Sequence, residues 1–164
     1  MAKRIDVSKL STIFGSMYPP PFDEPCLGRE RTPLGDSAGL DQFGVNFLRL
    51  QPGAWSSQRH CHSDEDEFVY VLAGEVTMVS NDGDEVLHAG DAAGFKAGNG
   101  DGHCLQNRSV AEVLVLEIGS RRPSDDGVIY SDIDLVFPAG DRGQYLHRDG
   151  TPYPETSRSR LPAK

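Results

Sequence analysis

The chain has 164 residues, 37% hydrophobic and 25% charged, with 18 glycines and 11 prolines. That length suits one domain around a single core, and the glycine and proline content favours short strands and turns over a helical bundle. The formal charge of −9 argues against a nucleic-acid binder, which needs clustered Lys and Arg, and no apolar run nears the ~18–20 residues that span a bilayer.

The opening stretch MAKRIDVSKL is positively charged but has no apolar core behind it, so no secretory signal is expected. Cys26, Cys61 and Cys104 are odd in number and lack framework spacing. A reduced, cytoplasmic setting follows as the expectation. Residues 1–42 read as an extended N-terminal arm. Pro19, Pro20 and Pro21 impose an extended path, and one short helix fits roughly 7–15. Ile13, Phe14, Tyr18 and Phe22 would anchor the arm on its own core or on a partner subunit. No pair of periodic apolar segments suggests a helix-turn-helix.

From 43 to 119 the pattern becomes β-rich: FGVNFLRL, SSQRHCH, EFVYVLA, EVTMVS, DEVLHA, AAGF, HCLQNRS and EVLVLEIG. Turn residues separate these runs, and Asp82-Gly83 is a strong hairpin signal. Many short, evenly spaced strands predict an all-β sandwich or barrel. Residues 120–164 form a C-terminal extension packing on that barrel. It starts with the polar SRRPSDDG. One or two short strands follow, Asp132 and Asp134 reading as part of an edge strand. HRDGTPY turns at Asp149-Gly150, and the last ten residues read as loose.

The stretch RHCHSDEDEFVYVLAG carries the chemistry. If 56–62 is a strand, alternation puts Ser56, Gln58, His60 and His62 on one face and Cys61 on the other. A hairpin loop over 63–66 would place Glu67 opposite His62, and directly paired residues share a side. Asp64, Glu65 and Asp66 read as a solvated tip. His103 is the best fourth ligand, ahead of His88 at an exposed strand end and His147. Gln58, Val69, Phe95, Leu105 and Asn107 are the candidate substrate-pocket residues, while Tyr70 has outward parity. A His-x-His pair alone would equally fit a solvated strand face. The carboxylate and third imidazole favour a metal site of His60, His62, Glu67 and His103. Such a donor set suits one divalent transition metal, Fe, Mn, Zn, Ni or Co, without choosing among them.

At these residues the chain resembles the cupin superfamily. Its first motif, G-x5-H-x-H-x3–4-E-x6-G, is matched by Gly53, His60, His62, Glu67 and Gly74, with six residues before His60. The second, G-x5-P-x-G-x2-H-x3-N, is matched by Gly90, Gly98, His103 and Asn107. Lys96 replaces the proline, and two residues are added before His103. The resemblance implies a double-stranded β-helix, or jelly-roll barrel, over 43–119. It also implies metal-ligand roles for the four residues named above, and a homodimer built through edge strands and the N-terminal arm.

The fold leaves function open. A metal-dependent enzyme acting on a small polar molecule, such as a dioxygenase or a sugar (phosphate) isomerase, stands beside a non-catalytic ligand-binding or sensory protein and a scaffold with a vestigial site. Phosphate recognition needs basic residues. The nearest are Arg49, Arg59 and Lys96, with Arg59 expected to face outward.

Overall fold

β-branched and aromatic residues alternate with polar ones through most of the chain, and glycines with positive φ break the runs at Gly53, Gly74, Gly83, Gly90 and Gly98. The computed structural model describes residues 4–122, 124–140 and 144–154. The expected loose segment after 154, with Arg158, Arg160 and Lys164, lies outside the described residues. In chain order the strands are β1 (Ile13–Phe14), β2 (Arg29–Pro33), β3 (Phe43–Leu50), β4 (His60–His62), β5 (Glu67–Ala73) and β6 (Glu75–Ser80). Then come β7 (Gly83–His88), β8 (Ala92–Phe95), β9 (Cys104–Gln106), β10 (Val113–Ser120), β11 (Val128–Tyr130) and β12 (Val136–Phe137). One α-helix, α1 (Leu34–Ala38), links β2 to β3.

The strands form a six-stranded sheet ordered β1-β2-β3-β10-β5-β8 and two three-stranded sheets, β12-β11-β4 and β7-β6-β9. Every named pairing is antiparallel. The fold is the all-β architecture that the strand pattern predicts, in the jelly-roll form that the resemblance implies. Leu48 and Leu50 of β3, Val69 and Val71 of β5, Val76 of β6, Leu105 of β9 and Val113 and Val115 of β10 meet in its core. Each such side chain contributes about 1.5–3 kcal/mol by leaving water. A second apolar cluster, with Tyr18, Cys26, Val128, Tyr130, Leu135 and Tyr145, joins the segment before β2 to the segment after β10.

Several expectations are corrected. The short helix over 7–15 is a single 3-10 turn at Val7–Lys9 followed by β1. Asp6 gives that turn no side-chain cap, and Pro-rich sequence soon follows. The chain does not run straight through the prolines. The Pro20-Pro21 bond is cis, and the Phe22 N–H donates to the Pro19 carbonyl at 3.0 Å. Residues 56–59 are irregular, so the strand expected from 56 is only His60–His62. No hairpin forms across 63–66: β4 pairs with β11, and β5 pairs with β10 and β8. Asp132 and Asp134 are not strand residues. Asp132 binds the Arg59 guanidinium, and Asp134 accepts the Arg148 backbone N–H. The hairpin at Asp82-Gly83 does form, with Ser80 paired to Gly83, whose φ of 113° suits glycine.

Candidate metal centre

The backbone brings the histidines together from separate segments. His60 and His103 face each other across an isolated bridge. The His60 N–H donates to the His103 carbonyl at 3.0 Å, and the His103 N–H donates back at 2.8 Å. Directly opposed residues point to one side, which sets the two rings 5.0 Å apart. His62 follows two residues on, on the same face, with its ring 5.0 Å from that of His60. Glu67 opens β5 in the opposite sheet and reaches the histidines across the barrel interior.

One oxygen of Glu67 is the meeting point. Oε2 lies 2.8 Å from His103 Nε2, 3.6 Å from His62 Nε2 and 3.7 Å from His60 Nε2. The ligand atoms of His60, His62 and Glu67 lie within 4.8 Å of one another. His103 joins through Glu67, and its ring stacks on Phe95 with centroids 3.6 Å apart.

The far sides of two rings fix which nitrogen is free. His60 Nδ1 donates to the Gln58 carbonyl at 2.9 Å, with Ser57 Oγ at 3.3 Å. His62 Nδ1 donates to Asp126 Oδ2 at 2.6 Å. Both rings therefore turn Nε2 toward the centre, the orientation a metal ligand needs. Burial pushes His60 down to about 4, keeping it neutral at ordinary pH. Burial opposes ionisation of Glu67, but the hydrogen bond from His103 and the adjacent His60 and His62 outweigh it and hold the carboxyl well below its usual range. Imidazole nitrogens around a carboxylate fit a divalent transition metal.

Beside this cluster opens a cavity of about 340 Å³, at the small end of the ~300–1,000 Å³ usual for ligand sites. Val69, Phe95 and Leu105, expected in the pocket, line it. Gln58 and Asn107 do not. Gln58 Nε2 donates to the Phe22 carbonyl at 2.7 Å, because the irregular backbone at 56–59 breaks the alternation that would have aimed it inward. Asn107 is buried as a clamp, with Nδ2 donating to the Leu50 and Ala111 carbonyls at 2.9 and 2.8 Å. Glu65 is no solvated tip: it lines the cavity, and burial raises its pKa. Cys61 and Cys104 stay off the wall. His88 is exposed, and His147 binds Asp134.

Sequence reasoning missed Asp126, Arg29, Arg31 and Glu117. The last three line the cavity with Tyr18, Tyr130 and Tyr145. Glu117 had a legible signal, a lone carboxylate at inward parity within the apolar run VLVLEIG. Arg29 and Arg31 alternate in GRERTP but fell within the segment read as an arm.

The family described as "Cupin domain" matches residues 46–119. No curated protein matches the chain. Among solved structures, one described as a sugar phosphate isomerase from a cupin superfamily, from Silicibacter pomeroyi DSS-3, is 38% identical. The alignment covers 92% of this chain and 96% of that one, with a TM-score of 0.84. A structure from Acidithiobacillus ferrooxidans ATCC 23270 is 26% identical over 86% of this chain and 83% of that one, with a TM-score of 0.67. The polyketide cyclase RemF from Streptomyces resistomycificus shares the fold at 19% identity, covering 81% and 87% of the two chains, with a TM-score of 0.65. With motif residues gathered at one point in a jelly roll and extended identity to a member, the chain belongs to the cupin superfamily.

Proposed function

We propose that the protein is a metal-dependent isomerase of a small, oxygen-rich, sugar-type substrate. The observation that carries this reading is the convergence of His60, His62, His103 and Glu67 on one wall of a polar cavity that also holds Glu117. The likeness to the Silicibacter pomeroyi sugar phosphate isomerase supports the reaction class.

The four residues would hold the ion, which when bound supplies a Lewis acid for adjacent carbonyl and hydroxyl oxygens. Glu117 lies on the inner face of β10, opposite Val69, and is paired with Arg31 rather than with the histidines. It takes the proton from the carbon beside the carbonyl and returns it to the neighbouring carbon. A hydroxyl proton moves in the same sense, from the oxygen on the deprotonated carbon to the former carbonyl oxygen. Tyr130 lines the cavity, and burial keeps its hydroxyl protonated, able to donate to substrate oxygen. Val69, Phe95 and Leu105 keep bulk water from the reacting carbons.

The test joins elemental analysis with proton exchange. Wild-type protein purified without chelators should hold metal that a His60→Ala, His103→Ala variant lacks. It should also exchange the carbon-bound proton of an aldose or aldose phosphate with D2O. Glu117→Gln should lower turnover ~100-fold or more, the scale of a lost general base, with metal content unchanged. Metal-loaded protein that turns over no sugar or sugar phosphate of a three- to six-carbon panel would overturn the isomerase reading.

A further inference from the structure

None of the basic residues nearest the motifs reaches the cavity. Arg49 pairs with Glu112 and Glu30, Arg59 with Asp132, and Lys96 with Asp66. The positive charge inside comes from β2. Arg29 and Arg31 are two residues apart on one strand face and both line the cavity. Arg31 Nε lies 3.1 Å from Glu117 Oε2. Arg29 is different. It is 7% exposed. Its Nε donates to the Gly15 carbonyl at 2.9 Å and its Nη1 to the Ser56 carbonyl at 2.6 Å. Among the described residues no carboxylate forms an ion pair with it. A guanidinium buried to this degree without an anion is costly.

The surroundings suit an anion. Tyr18 and Tyr145 line the same space, within the field of Arg29, and burial keeps their hydroxyls protonated as donors. The lining carries the two guanidiniums against the carboxylates of Glu65, Glu67 and Glu117. Without a metal the carboxylates are in slight excess. A divalent ion at the histidines reverses that sign.

We propose that Arg29 and Arg31 form an anion subsite that holds the phosphate or carboxylate group of the substrate while its oxygen-rich end faces His60, His62 and Glu67. This rests on the metal-centre reading above. It narrows the substrate class to small polyhydroxy compounds with a phosphate or carboxylate at one end. Arginine suits either group through its planar fork of donors.

The experiment titrates inorganic phosphate, and separately acetate, into metal-loaded protein by calorimetry, with metal content measured on each sample. Wild type and Lys96→Gln, a matched charge change at an exposed site, should bind phosphate alike. Arg31→Gln and Arg29→Lys should bind it about tenfold more weakly, the scale of a lost charge-assisted hydrogen bond, with metal retained. Arg29 also braces the Gly15 and Ser56 backbones, so the Arg31→Gln arm decides if Arg29→Lys misfolds. Phosphate binding without acetate binding assigns a phosphoester, and comparable acetate binding assigns a carboxylate. Arginine variants that match wild type, or wild type that binds neither anion, would overturn the subsite. Protein that never holds metal would instead sink the metal-centre reading and leave the arginine pair to be judged on anion binding alone.

Discussion

Asp126 does two jobs with two oxygens. Oδ2 accepts from His62 Nδ1, and Oδ1 accepts the backbone N–H groups of Asp64 and Glu65 at 2.9 and 3.2 Å. Asp126→Asn can keep the loop bonds through its remaining oxygen but loses the carboxylate that orients and polarises the ring. Titration with Mn²⁺ or Zn²⁺ should show affinity weakened about 10–100-fold, the cost typical of such outer partners, with the thermal midpoint of metal-free protein little changed. The buried thiols give a second, alkaline prediction. Burial pushes Cys104 up from 9.0 to about 11. A folded chain that keeps this proton loses stability to an unfolded chain that releases it. The contribution is full below about pH 9 and is lost as pH rises toward about 11. Thermal midpoints between pH 8 and 11 should fall less steeply in Cys104→Ala. Tyr18 and Tyr130, also raised by burial, add the same sign at higher pH.

At the scale of strands, Gly74 between β5 and β6 shows what the motif glycines do. Its φ is +81°, and a Cβ there would sit 2.9 Å from the Glu112 carbonyl oxygen. Gly53 has a similar φ of +83° with nothing within 4 Å. Chemical denaturation should therefore show Gly74→Ala losing about 1–3 kcal/mol and Gly53→Ala less, since only backbone strain acts there. The strands themselves were legible because alternation and turn glycines are local signals. The meeting of Glu67 with the histidines was legible from the motif, yet the route inferred for it was not the one observed. Parity across a hairpin needs a paired partner. The partner of β4 is β11, where Val128 lies opposite His62 from 66 residues further along the chain (128 − 62). The same limit hid Arg29 and Arg31. Their inward aim depends on β2 adding to β3, with Arg31 opposite Leu48 and Arg29 opposite Leu50, a long-range pairing that no window of sequence displays. Gln58 failed for the converse reason, since a local rule was applied where the backbone is irregular.

Across the whole molecule, the outer face of the six-stranded sheet carries an apolar patch beside the charged Glu30 and Arg49. Tyr70 and Leu72 of β5 are exposed, and Leu116 of β10 pairs with Tyr70 on one side and Phe47 of β3 on the other. A face of this kind favours association, and we propose that a second copy covers it, giving the homodimer. Light scattering should return about twice the chain mass of 17.9 kDa, with Leu72→Glu shifting the protein toward monomer. A monomeric wild type would refute this. Among the described residues no helix is long and apolar enough to cross a membrane. The division of the cavity wall has a further consequence. The candidate ligands come from β4, from the start of β5 and from His103 just before β9, while Ser16, Met17, Tyr18, Arg29, Arg31 and Tyr145 line the cavity from other segments. Selectivity can therefore drift independently of metal affinity. A combinatorial library confined to Tyr18, Arg29 and Tyr145 would be a direct route to repurposing this barrel for other compounds.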